Sequence, residues 1–209
     1  MDLFAIWLST FGVIFAIVDP FGYVPVFLSM TAKDTDEQRK KMLLKACFAA
    51  FIVLTVSSII GGPVLYLLGI SVPALQISGG MLLLVIAFEM LKVLPVSEKL
   101  TAHEENEGVK KEDISIIPLA IPMLSGPASI ATVIVLTSKA ESSLIYPAII
   151  VSSFVTLAFT YWILRFASPI LKVIGVTGLN VMTRIMGLLL CAMGVQFIIN
   201  GYLAVIARG

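Results

Sequence analysis

Phe15-Ala16-Ile17-Val18-Asp19-Pro20-Phe21-Gly22 interrupts a long apolar stretch, and Ile121-Pro122-Met123-Leu124-Ser125-Gly126-Pro127-Ala128 interrupts another, its Gly126-Pro127 lying 107 positions after Asp19-Pro20. Proline removes a backbone donor, its ring crowds the preceding turn, and the residue before it is pushed out of helical geometry. Each stretch must therefore break where Asp19-Pro20 and Gly126-Pro127 fall. The same offset carries Gly80 onto Gly187, Leu82 and Leu83 onto Leu189 and Leu190, and Glu89 onto Gln196. The chain reads as a diverged internal duplication: residues 1–95, a connector 96–113, and residues 114–209.

Composition fixes the class. Of 209 residues 59% are hydrophobic and 13% charged, about half the charge of a soluble domain, which makes this an integral membrane protein. The net charge of +1 says nothing about nucleic acid, because position rather than balance matters in a membrane chain. Cys47 and Cys191 both lie in apolar segments and read as small buried hydrophobes.

About 20 apolar residues cross a bilayer, and six stretches qualify: 3–31, 42–69, 72–94, 114–138, 142–170 and 181–206. Met1-Asp2-Leu3 has no positive leader and no cleavage site follows, so the first stretch is expected to stay in the chain rather than act as a signal peptide. Twelve of the 14 Lys and Arg residues fall beside the first, third and fifth connections; only Lys139 and Arg208 lie on the other side. The positive-inside rule puts those three connections in the cytoplasm and both termini outside. Three spans per half then give repeats of opposite orientation. The expected fold is all-α, with six transmembrane spans as two inverted three-span repeats and broken helices at Asp19-Pro20 and Pro122 to Pro127. Such repeats are a recurring plan of secondary transporters, with the substrate site near the midplane where the halves meet.

The connector 96–113 is polar throughout and reads as a solvated cytoplasmic link. His103, the one histidine, sits in it without the partner spacing of a metal site or a triad. No metal or cofactor is expected.

Unwound backbone in hydrocarbon is tolerated only where protein or a water-filled cavity covers it, so paired breaks at equivalent depth point to a binding site. After each break the chain can resume as a half-helix with proline in its first turn, its amide-rich, partly positive end aimed into the membrane. Two such ends could hold a carboxylate. The candidate substrate-binding residues are Asp19, Pro20, Phe21 and Gly22 in one half, and Ser125, Gly126, Pro127, Ala128 and Ser129 in the other. Asp19 is the one acid near the middle of a span; it could cap the following half-helix, bind a substrate ammonium, or exchange a proton. Glu89 and Gln196, repeat-related in the third and sixth spans, are secondary coupling candidates. Glu89 could line an inner vestibule or reach the interface towards Lys92. The glycines near them also suit close helix packing.

Asp19-Pro20-Phe21-Gly22-Tyr23-Val24-Pro25-Val26-Phe27, followed in the second half by Pro118-Leu119-Ala120-Ile121-Pro122-Met123-Leu124-Ser125-Gly126-Pro127-Ala128-Ser129-Ile130, resembles the MarC family of bacterial and archaeal inner-membrane proteins over the whole chain. The family commonly has Asn where this chain has Tyr23 and a second Gly where it has Ala128. The resemblance implies transport of small neutral amino acids such as glycine and alanine with proton coupling, in the inner membrane. Its partners would be the amino acid, protons and the lipid bilayer, with a homo-oligomer compatible and no nucleic acid. The alternatives are a passive channel on the same half-helix plan and an exporter of another small solute. An intramembrane enzyme lacks its signature: no paired intramembrane acids, no His-Glu-x-x-His, and no nucleophile with a base appear.

Overall fold

A computed structural model describes residues 3–32, 34–93, 124–138 and 144–207, and every regular element among them is helical. Helix α1 (Leu3–Val18) ends at Asp19, and α2 (Tyr23–Met30) resumes the same span. Helix α3 (Asp36–Leu67) begins with a capping box in which the Thr35 hydroxyl accepts from the Gln38 N–H and the Gln38 side chain accepts from the Thr35 N–H. That exchange satisfies two of the donors any helix start leaves open. Helix α4 (Val72–Met90) starts on a Ser71 cap with Pro73 in its first turn.

The ends of α3 and α4 share one device. Gly69 (φ 68°) and Lys92 (φ 56°) take the left-handed conformation. The following amides, Ile70 and Val93, then reach back to the carbonyls of Leu65 and Phe88 at 2.9 and 3.0 Å, closing both helices as Schellman turns.

In the second half, α5 (Pro127–Ser138), α6 (Ile145–Arg165) and α7 (Ala167–Ile206) follow. Helices α3, α4, α6 and α7 are each long and apolar enough to cross a membrane, while α1 and α5 are shorter apolar helices. The break at Asp19-Pro20 appears as expected, but the half-helix begins at Tyr23 after a turn over 20–22 rather than at Pro20. The second break is described from Leu124 onward; Ser125 and Gly126 are non-helical and Pro127 opens α5. Pro118, Pro122 and the connector 96–113 lie outside the described residues. One boundary differs more. Sequence reading extends the fifth span to Ile170 and leaves 171–180 as a connection, whereas the helix stops at Arg165, bends at Phe166, and continues as α7 with a kink at Gly175 (φ 70°, ψ 171°). The bend comes early because Ser168 and Pro169 suit a helix start, and the later kink sits where only glycine adopts positive φ at no cost.

Contacts give the helix directions. Ser152 of α6 donates to the Trp7 carbonyl of α1 at 3.5 Å, and further along the rings of Phe159 and Phe15 lie 6.4 Å apart, so α1 and α6 run parallel. Phe51 meets Phe154 at 5.9 Å while Arg39 shares a cleft with Arg165, so α3 runs against α6. Helix α5 runs with α3, since Leu54 lies beside Ser129 and Gly62 beside Ser138. Helices α4 and α7 are antiparallel, Ile77 meeting Gly201 and Met90 meeting Gly187. The main core joins α1, α2, α3, α5, α6 and the start of α7. Much of the outer surface is apolar, with Phe48, Leu67 and Val173 exposed, as a lipid-facing surface requires.

Candidate functional site

Helices α4 and α7 form the tightest seam, and they do so through glycine. A Cβ added to Gly80 would meet the Gly194 carbonyl, Phe197 Cβ and Ile198 Cγ1; one added to Gly187 would meet the Ala87 carbonyl, Met90 Cβ and Leu91 Cγ. The second set is the first displaced by 107 residues: Gly187 follows Gly80 by that number, and each of its partners precedes the Gly80 partner by the same number. Small residues at such crossings let backbones approach, which is how helices associate where lipid removes the hydrophobic drive.

Both breaks lean on this seam. Ile17, two residues before Asp19, and Ala128, two after Gly126, belong to one buried cluster with Leu83, Ala87 and Leu190. The structure thus brings the two predicted groups into one neighbourhood.

At the first break Asp19 has φ 42°, a left-handed conformation that Asp tolerates better than most residues. Its carboxylate is 5% exposed and accepts from the Gly22 N–H at 3.3 Å. Gly22 has no room for a side chain: a Cβ would collide with the Asp19 carboxylate and lie 3.1 Å from Met90 Cε. Pro20 is buried and Phe21 half-buried, the latter edge-on to Phe15. Asp19 therefore does cap the turn into α2, occupying an amide that the simplest half-helix picture leaves free for substrate.

At the second break Gly126 carries no side chain, and its carbonyl accepts the first helical bond of α5 from Ile130 at 3.0 Å. Ser125, Ala128, Ser129 and Thr132 are all buried, and Pro127 is exposed. Ser129 and Thr132 face a narrow gap, lined also by Ile14, Ile17, Leu54 and Val133, with no room for a water molecule.

Of the secondary candidates, Glu89 is exposed at the end of α4, and Tyr23 lies within electrostatic range of both Glu89 and Asp19. Gln196 is exposed on α7 and donates to the Asn200 Oδ1 at 2.8 Å, one turn on; it is not brought to the breaks. No group of acids, cysteines or histidine suited to a metal occurs among the described residues.

A feature absent from the predicted set lies on α6. Ser152, Ser153, Thr156 and Thr160 are fully buried on the face that packs against α1 and α3. Thr160 returns its hydroxyl to the Thr156 carbonyl at 2.8 Å, but Ser153 Oγ, Thr156 Oγ1 and the neighbouring Thr55 Oγ1 of α3 find no partner among the described residues. Buried hydroxyls left unpartnered are costly. The recurrence of hydroxyls at 152, 156 and 160 is the helical-period signal that marks them in the sequence.

Residues 4–206 match the family described as MarC family integral membrane protein. The chain belongs to the MarC family. Among its relatives, the membrane protein YhcE of Escherichia coli K12 is 36% identical over 199 residues, covering 95% of this chain and 92% of its own. A membrane protein of Aquifex aeolicus is 38% identical over 208 residues (93% and 95%). One from Archaeoglobus fulgidus is 31% identical over 197 residues (92% and 90%). No solved structure matches. As a MarC protein with several apolar helices the chain is an integral membrane protein, and the Asp19-Pro20 and Gly126-Pro127 breaks lie within the matched region.

Proposed function

We propose that this MarC protein is a proton-coupled secondary transporter of small neutral amino acids, built as two inverted three-span repeats around the paired breaks. The observation that carries this reading is the 107-residue symmetry of the α4–α7 seam with both breaks set against it. A two-fold axis lying in the membrane plane demands that a contact between i and j recur between i+107 and j−107, as the Gly80 and Gly187 contacts do. The alternating helix directions fit six crossings, with the twelve clustered cations at the cytoplasmic ends.

Chemically, Asp19 offers a carboxylate for a proton or an ammonium, and the start of α5 offers backbone amides with Ser129 beside them for a carboxylate. The glycine seam packs α4 against α7 too closely for a large solute to lie between them. The gap near Ser129 is too tight for water, which suits a carrier that opens to one side at a time better than a standing pore. Members of this reading's substrate class are glycine and alanine.

The test is uptake of labelled glycine and alanine into proteoliposomes, with and without an imposed pH gradient and with unlabelled substrate inside. The proposal expects saturable uptake accelerated by preloading and by an inward proton gradient. Flux that rises linearly with concentration and shows no counterflow would make the protein a channel instead.

A further inference from the structure

Away from the breaks, the ends of α2, α3, α6 and α7 enclose a cleft of about 240 Å3 that contains Arg39, Arg165, Ser168 and Asp36. The clustered cations put it on the cytoplasmic side. Arg39 is half-buried and held: its Nε and Nη2 donate to the Thr31 carbonyl at 3.1 and 2.7 Å, and its Nη1 to Ser168 Oγ at 3.4 Å. Arg165 is also half-buried, yet among the described residues its guanidinium has neither a hydrogen bond nor an ion pair. A half-buried guanidinium with five donors and no acceptor is a costly arrangement unless a ligand completes it.

The opposite end of the molecule shows that the cleft is not a by-product of the scaffold. The 107-residue offset takes Arg165 back to Ser58 and Ser168 back to Gly61, and takes Phe27 and Leu28 on to Ile134 and Val135. There the counterpart is packed shut. The Ile134 side chain fills the space a Gly61 Cβ would need, and Ser58 and Val135 are 1% and 2% exposed. One end of the duplicated frame is sealed by Ile134 seated over Gly61; the other is held open and lined with two arginines.

Depth and charge identify the ligand. Trp162, stacked on Phe166 with ring centroids 5.7 Å apart, is exposed beside the cleft, and tryptophan favours the level of the lipid headgroups. Among the described lining residues two arginines and one aspartate leave a single positive charge, which matches the monoanion of a phosphodiester. Arginine's planar fork suits phosphate oxygens, and basic pockets between helices at this face are where anionic headgroups bind. We infer that the Arg39–Arg165 cleft binds the phosphodiester of an anionic phospholipid from the cytoplasmic leaflet. This assignment does not rest on the transport reading.

Purified full-length protein in neutral detergent, titrated with phosphatidylglycerol, phosphatidylcholine or inorganic phosphate while its melting midpoint is followed, tests it. Phosphatidylglycerol should raise the midpoint by about 4 °C near saturation, and the other two should leave it in place. Arg165→Gln, which breaks no hydrogen bond or ion pair among the described residues, should remove at least half of that shift; Arg165→Lys, which keeps the charge without the fork, should give an intermediate one. Lys172→Gln, an exposed cation outside the cleft, should keep it whole. An undiminished shift in Arg165→Gln, an equal loss in Lys172→Gln, or a shift reproduced by inorganic phosphate would each overturn the lipid assignment.

Discussion

The two breaks lie 107 residues apart in the chain and solve the same problem differently. At Asp19-Pro20 the chain closes on itself: the carboxylate turns back to the Gly22 N–H, and Asp19 and Met90 leave no room for a side chain at Gly22. At Gly126-Pro127 the residue at the break carries no side chain, Pro127 opens α5 without an N–H of its own, and the buried hydroxyls of Ser129 and Thr132 follow, that of Thr132 donating to the Ala128 carbonyl at 2.8 Å. The first break is thus charged and self-capped, and the second is built from neutral residues around a helix that opens on proline. The difference teaches which side should sense a proton and which should hold an anionic group, and each substitution below is aimed at one side of it.

The largest effect is expected for Gly22→Ala. The added methyl would meet the Asp19 carboxylate with Met90 behind it, so the turn must shift, at a cost of about 2 kcal/mol for overpacking a tight site. Both the melting midpoint and uptake of glycine should fall. Ala128→Gly, at the repeat-equivalent of Phe21, should leave uptake intact; if Gly22→Ala does so too, the packing around Asp19 has no part in the site.

Next in size is Asp19→Asn, which keeps an oxygen for the Gly22 N–H but loses the charge. Thermal stability should stay within about 1 kcal/mol, the scale of a neutral cap, while stimulation of uptake by a proton gradient disappears and exchange against preloaded substrate persists. Gradient-driven uptake at the wild-type level in Asp19→Asn would remove this residue from coupling and with it the functional contrast between the halves.

Much of this comparison was open to sequence reading because proline and glycine act locally. Asp19-Pro20 and Gly126-Pro127 must interrupt a helix wherever they sit, and the common offset that aligns them also aligns Gly80 with Gly187, whose contacts repeat in the structure. What escaped depends on three-dimensional closeness. Whether the Asp19 carboxylate would face solvent, substrate or its own Gly22 amide is decided by backbone torsions that the residue types leave free. The bend at Phe166 carries no proline or glycine of its own, so the fifth span reads as running on to Ile170 until Ser168-Pro169 is recognised as a helix start. The hydroxyls of α6 look unremarkable one by one, since a serine or threonine in a membrane helix can bond to the carbonyl one turn back; only burial shows which of them do not.

Glu89→Gln probes the rim of the charged half. Glu89 is exposed, and its neighbour Met90 lies against Gly22 at the first break. Screening of an exposed charge makes its influence small, so the variant should lower gradient-driven uptake about twofold or less, and less at high salt. Removing Gln196, which the same offset relates to Glu89 but which is engaged with Asn200, should change nothing measurable. A loss in Glu89→Gln as complete as that in Asp19→Asn would move the proton site from the break to the end of α4.

The smallest effect on the fold, and the sharpest test of the neutral half, belongs to Thr156→Val. Valine nearly reproduces the shape of threonine and deletes a hydroxyl that has no partner among the described residues. Removing such a group relieves a desolvation cost of about 1 kcal/mol instead of breaking a bond, so the melting midpoint should hold or rise by about 2 °C. If the hydroxyls of α6 serve a polar solute as it passes, uptake should slow even as the protein becomes more stable. Thr160→Val supplies the contrast, because that hydroxyl already bonds to the Thr156 carbonyl; its loss should cost a little stability and leave uptake alone. A Thr156→Val protein that is stabilised and transports at full rate would confine the substrate's polar contacts to the two breaks.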